Sequence, residues 1–83
     1  MDFRDLYIKL KNKNRQDLID PIEDFRDVFI ERSAQINGAL TLREVLDFIK
    51  RDRELVRLAK RIPGEGNLRK TAVNLTIREF SRQ

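Results

Sequence analysis

The chain has 83 residues, 40% hydrophobic and 39% charged, with 18 Lys and Arg against 14 Asp and Glu and a formal net charge of +4. So short a chain makes one domain with a small, marginally stable core, and oligomerisation or a bound partner is expected to support it. It has no Cys and no His, which excludes disulfides, thiol and imidazole nucleophiles, and the usual ligands of zinc, copper and haem.

Apolar residues recur every three or four positions rather than every two, which predicts an all-α fold, a small bundle of four or five helices. Phe3, Leu6, Tyr7 and Leu10 predict a short first helix that ends in the polar run Lys11-Asn12-Lys13-Asn14-Arg15, with a loop after it. Asp20 and Pro21 predict the start of a second helix, with Asp as the cap, Pro at the first helical position, and Glu23 and Asp24 where the helix dipole favours anions. Its stripe is Ile22, Phe25, Val28 and Phe29, ending near Arg32.

Asn37-Gly38 reads as a turn. Thr41-Leu42-Arg43-Glu44 is a capping box, in which a Thr hydroxyl and a Glu carboxylate each satisfy an unpaired backbone N–H. The helix it opens carries Leu42, Val45, Leu46 and Ile49; the charged run Lys50-Arg51-Asp52-Arg53-Glu54 interrupts the stripe before Leu55, Leu58, Ala59 and Ile62 resume it. Two arrangements fit: one long helix that leaves its core midway, or two helices meeting at a tight turn near Arg51 and Asp52. Pro63-Gly64-Glu65-Gly66 ends the segment. A last helix from about Asn67 or Leu68 offers Ala72, Val73, Leu75, Ile77 and Phe80 to the core. No apolar run approaches the roughly 18 to 20 residues of a membrane span, and the N-terminus lacks the order of a signal peptide. The expectation is a soluble, intracellular protein, cytoplasmic or nuclear (or nucleoid-associated), with no membrane span.

Charge divides the chain. Residues 50–83 carry ten Lys/Arg against four Asp/Glu, whereas residues 1–49 carry eight against ten. Such asymmetry points to a polyanion met through one face, with nucleic acid the commonest, although a well-solvated Arg-rich helix surface gives the same composition. Lys50, Arg51, Arg53, Arg57, Lys60 and Arg61 lie three, four and seven residues apart and can share one flank. Arg69, Lys70, Arg78 and Arg82 would join them if the last helix packs alongside. Cations on such a ridge neutralise phosphates and release counterions, giving affinity without sequence preference. The expected nucleic-acid contacts are Arg51, Arg53, Arg57, Lys60, Arg61, Arg69 and Lys70, on duplex DNA or RNA.

Residues 41–49 and 53–62 could also be the two helices of a helix-turn-helix, but the second offers no Asn or Gln to read adenine, so phosphate contacts would dominate. Phe48 and Phe80 fit core stripes, which disfavours a single-strand stacking platform.

The middle of the chain resembles an EF-hand. Phe25 and Phe29 precede a twelve-residue window, residues 33–44, followed by Val45, Phe48 and Ile49. Gly38 stands at the sixth position and Leu40 at the eighth, with Ser33, Gln35, Asn37, Ala39, Thr41 and Glu44 at the ligand positions. Ser33 and Gln35 replace the carboxylates usual there and leave Glu44 as the window's one charged ligand, too little negative charge for Ca²⁺. The resemblance covers about 25 residues. A second, shortened hand would take Leu55, Leu58, Ala59 and Ile62, a loop at residues 63–68, then Val73 and Ile77. The resemblance implies a metal-free helical lobe that grips a partner helix, as light-chain-like members do. The alternative function is thus a protein-interaction adaptor, EF-hand-like or a simple helical bundle.

Asp17, Asp20, Glu23, Asp24, Asp27 and Glu31 form an acidic run in which Asp20 with Asp24, Glu23 with Asp27, and Asp27 with Glu31 are spaced for one helix face, where a hard cation could sit; the favoured readings are the solvent face of the second helix or the complement to the basic half, within a monomer or head to tail between copies. No nucleophile motif and no phosphate-cradling glycine loop is present. The reading is a non-enzymatic binding protein with no cofactor and no metal.

Overall fold

A computed structural model describes residues 2–36 and 40–81, with the side chain of residue 81 left aside. Among them are five helices and no strand: α1 (Phe3–Asn12), α2 (Gln16–Ser33), α3 (Leu42–Arg51), α4 (Arg53–Arg61) and α5 (Leu68–Ser81), with a single 3-10 turn at Glu65–Asn67. The fold is therefore a small all-α bundle, as the periodicity predicts.

Helix α1 opens on a capping box: Asp2 accepts from the Asp5 N–H at 2.9 Å, and the Asp5 carboxylate receives the Asp2 N–H at 3.4 Å. The Asp5 N–H holds the Asp2 carboxyl below its ordinary range. The chain turns at Asn14, whose φ of 57° lies in the left-handed region that Asn tolerates better than most residues.

Helix α2 corrects the sequence reading. It begins at Gln16, not at Asp20 and Pro21, and Pro21 stands inside it. Proline there removes one backbone donor, whose partner would have been the Asp17 carbonyl. The offset comes from Leu18 and Ile19, buried at 5% and 1% exposure, which continue the α2 stripe one turn towards the N-terminus. Leaving both in water would have cost about 1.5 to 3 kcal/mol each.

The core draws on all five helices: Phe3, Leu6 and Leu10 from α1, Ile22, Phe25 and Phe29 from α2, Val45 and Ile49 from α3, Leu55 and Leu58 from α4, and Leu68, Ala72, Leu75 and Ile77 from α5. Phe29 is its hub. Its ring stacks on Phe25 at 6.3 Å and meets Phe48 and Phe80 edge-on at 6.1 and 5.7 Å, joining α2, α3 and α5. Phe48 and Phe80 are thus partly buried against the core. Leu42, expected in the α3 stripe, is 63% exposed. As the first residue of α3 it precedes the turn that faces the core.

The segment after α4 needs left-handed backbone twice, at Gly66 (φ 59°) and Asn67 (φ 61°). Gly66 meets that demand without steric cost. No helix among the described residues is long and apolar enough to cross a membrane.

Candidate nucleic-acid interface

The site begins with the joint between α3 and α4. Helix α3 starts at the capping box: Thr41 Oγ1 accepts the Glu44 N–H at 3.2 Å, and Glu44 Oε1 accepts the Thr41 N–H at 3.1 Å. The Thr41 N–H first, and the nearby Thr41 hydroxyl second, hold the Glu44 carboxyl below its ordinary range. Helix α3 ends at Arg51, because Asp52 leaves helical backbone at φ −93° and ψ 107°. No glycine is needed, since Asp52 supplies its own cap. Its Oδ1 accepts the N–H groups of Glu54 and Leu55, both at 3.1 Å. One residue thus closes α3 and opens α4.

The second Asp52 oxygen is also taken. Oδ2 accepts from Arg32 Nη1 at 2.6 Å, while Arg32 Nη2 donates to Glu54 Oε2 at 2.7 Å. Arg32 lies in the last turn of α2, so its guanidinium ties that helix end to the joint. The Asp52 side chain is 14% exposed.

Around this joint Lys50 of α3 and Arg53, Arg57, Lys60 and Arg61 of α4 line one shallow depression of about 490 Å³, with Val56 as its apolar member. Arg53, Arg57 and Lys60 stand at i, i+4 and i+7, and so project along one side of α4 over about 10 Å. Leu55, Leu58 and Ile62 are buried on the other side. None of the five cations belongs to an ion pair among the described residues.

The structure places the remaining expected residues elsewhere. Arg51 is exposed at the end of α3 and Lys70 is exposed on α5; neither lines the depression. Arg69 uses its guanidinium internally: Nε donates to the Ile62 carbonyl at 2.7 Å and Nη2 to the Lys60 carbonyl at 2.9 Å, capping the C-terminus of α4. Arg78 lines a second depression of about 310 Å³ with Arg4, Arg26, Tyr7 and Glu79. Arg82 lies outside the described residues.

Every acid in the basic half is covered by an arginine from the other half. Besides the two contacts of Arg32, Arg15 reaches Glu65 at 3.1 Å and Arg26 reaches Glu79 at 2.8 Å. Arg26 also lies 4.4 Å above the Phe3 ring, tying α1, α2 and α5 together. Sequence reasoning did not single out Arg32, because its partners are 20 and 22 residues away and only the fold brings them to it.

The acidic run on α2 takes the opposite course. Asp20, Glu23, Asp24, Asp27 and Glu31 are exposed. Asp20 accepts from Gln16 at 3.0 Å and Asp17 pairs with Arg15 at 3.2 Å; no ion pair among the described residues joins the run to the basic half. The Arg15 guanidinium holds the Asp17 carboxyl below its ordinary range.

Of the EF-hand-like window, Asn37, Gly38 and Ala39 lie outside the described residues. Ser33 Oγ donates to the Ile30 carbonyl at 3.0 Å, Gln35 is exposed, and Thr41 and Glu44 are joined in the capping box. No cluster of three or more acidic side chains among the described residues is placed to hold a metal ion. Comparison with protein-family models, curated proteins and solved structures finds no match for this chain.

Proposed function

We propose that the chain is a small, non-enzymatic nucleic-acid-binding protein that grips the phosphate backbone of a duplex through Lys50, Arg53, Arg57, Lys60 and Arg61, with Arg51 and Lys70, exposed outside the depression that these five line, as further contacts. One observation carries the reading: cations from both sides of the Asp52 joint line a single depression, and none is paired with a carboxylate among the described residues. Phosphates are the commonest ligand for such a surface, because each cation they meet releases condensed counterions. A duplex fits better than a single strand, since Phe48 and Phe80 are partly buried and committed to Phe29 in the core. The joint between α3 and α4 is one residue long, shorter than the three or four residues of a helix-turn-helix turn. The proposal therefore rests on backbone contact and not on base reading.

Fluorescence anisotropy with labelled duplex DNA, duplex RNA and a single strand, titrated over several salt concentrations, tests it. The expected result is tighter duplex binding whose log affinity falls linearly with log salt. Arg53→Glu combined with Arg57→Glu is expected to abolish that binding and leave the helical circular-dichroism spectrum intact. No binding at low salt would overturn the reading. It would turn attention to the adaptor alternative, for which the exposed Ile30 and Leu42, at 53% and 63%, are the first apolar contacts to mutate.

A further inference from the structure

We propose that Arg32 is a positioning residue for the basic depression: it keeps the carboxylates of Asp52 and Glu54 away from the cations that would otherwise pair with them. This inference rests on the depression being an anion-binding surface. Glu54 precedes Arg57 by three residues on α4, a spacing at which opposite charges on a helix pair readily. Left free, its carboxylate would compete with phosphate for Arg57.

In the structure Glu54 Oε2 instead lies 2.7 Å from Arg32 Nη2, on the side of α4 that meets α2. Asp52 is held more completely. Oδ1 caps α4 and Oδ2 faces Arg32 Nη1 at 2.6 Å, so both oxygens already have partners other than Arg53 and Lys50. The geometry of the fork serves this purpose, because a planar guanidinium offers Nη1 to one carboxylate and Nη2 to the other in a fixed arrangement, which the single nitrogen of an ammonium does not impose. Arg32 touches no member of the depression among its hydrogen bonds and ion pairs. It acts through the two acids.

Five proteins test the inference: the unaltered chain, Arg32→Gln, Arg32→Lys, Glu54→Gln, and Arg32→Gln combined with Glu54→Gln. Each is checked for fold by circular dichroism and urea unfolding. Each is then measured by the salt concentration that elutes it from immobilised heparin, a generic polyanion, and by anisotropy with a duplex of about 20 base pairs.

Arg32→Gln is expected to weaken duplex binding about tenfold, the effect of losing one good cation contact, and to elute from heparin at lower salt while remaining folded. Arg32→Lys should fall between. The double variant should recover most of the loss, because removing the Glu54 charge frees Arg57 again, whereas Glu54→Gln in the unaltered chain should tighten binding far less; an equal gain in both backgrounds would be an effect of net charge alone and would overturn the inference. Heparin elution unchanged in Arg32→Gln, or a double variant as weak as the single one, would overturn the inference and leave the nucleic-acid reading standing. Duplex binding absent from every protein, with the heparin pattern as described, would support Arg32's role and overturn the nucleic-acid reading alone.

Discussion

The arginines of the two halves of this molecule do different work. Those of the first half that reach across the fold, Arg15, Arg26 and Arg32, end on Glu65, Glu79, Asp52 and Glu54. The cations from Lys50 to Arg78 make no ion pair among the described residues; Arg69 bonds backbone carbonyls, and the others stay exposed. Composition alone gives the basic half four acids to set against its cations. The fold cancels those acids locally with arginines borrowed from elsewhere, so the charge displayed around α4 is more uniformly positive than a count along the chain suggests. The availability of a charge depends on what its neighbours in space have already taken, not on what stands beside it in sequence.

The comparison can be broken outright by emptying the core on which both halves rest. Phe25 is fully buried against Phe29, and Phe25→Ala is expected to cost about 3 to 5 kcal/mol. For a domain of this size that is most of its stability. Urea unfolding should show the loss, and polyanion binding should disappear with the fold.

A smaller change separates the halves. Arg57→Gln should lower the slope of log duplex affinity against log salt by about one. Lys9→Gln, on α1 and outside the depression, should leave that slope unchanged. Equal effects from both would mean that the two regions do not differ as binding surfaces.

Thr41→Ala removes the hydroxyl that caps α3 and should cost about 1 kcal/mol in urea unfolding, with duplex binding per folded molecule nearly unchanged. The other arm of the box, the Glu44 carboxylate on the Thr41 N–H, depends on pH: its contribution is present above the ordinary carboxylate range and is lost as pH falls through the depressed folded-state value, so Glu44→Ala and the unaltered chain should converge in acid.

The smallest effect concerns Tyr7, the one tyrosine of the chain, whose hydroxyl is buried without a hydrogen-bond partner of good geometry. Burial raises its pKa, an effect that the Arg26 guanidinium only partly opposes. The folded chain therefore holds the phenolic proton more tightly than the unfolded one. The associated stability is full below about pH 10, where the unfolded tyrosine ionises, and declines as pH rises towards the folded value. Tyr7→Phe should abolish that alkaline decline and cost little at neutral pH, because it removes an unsatisfied polar group. Phenolate absorbance against pH, in native buffer and in urea, measures both pKa values directly.

Much of this architecture was legible in the sequence because it is set locally. The Thr41 capping box, the stop at Pro63 and Gly64, and the stripe from Leu68 through Phe80 depend on neighbours within a turn or two. The start of α2 was not. Asp20-Pro21 has the chemistry of a helix start, and only the burial of Leu18 and Ile19 by other helices makes the earlier turn worth forming. The break at Asp52 stood as one of two arrangements, undecided because an Asp can cap either way; a guanidinium 20 residues upstream accompanies the choice. The cationic face around α4 was legible from spacing, whereas the diversion of Arg69 to carbonyls and the covering of four carboxylates arise from contacts between helices distant in the chain.

The single-residue joint at Asp52 also makes this part of the molecule intolerant of changes in length. No spacer separates the two helices, and each residue of an α-helix advances the azimuth by about 100°. A residue inserted between Arg51 and Asp52, or between Asp52 and Arg53, would set the axial phase of α4 against that of α3. Either Leu55 and Leu58 would leave the interior, or Lys50 would no longer share a rim with Arg53. Point changes in this region alter the strength of the surface; insertions and deletions alter whether there is one surface at all.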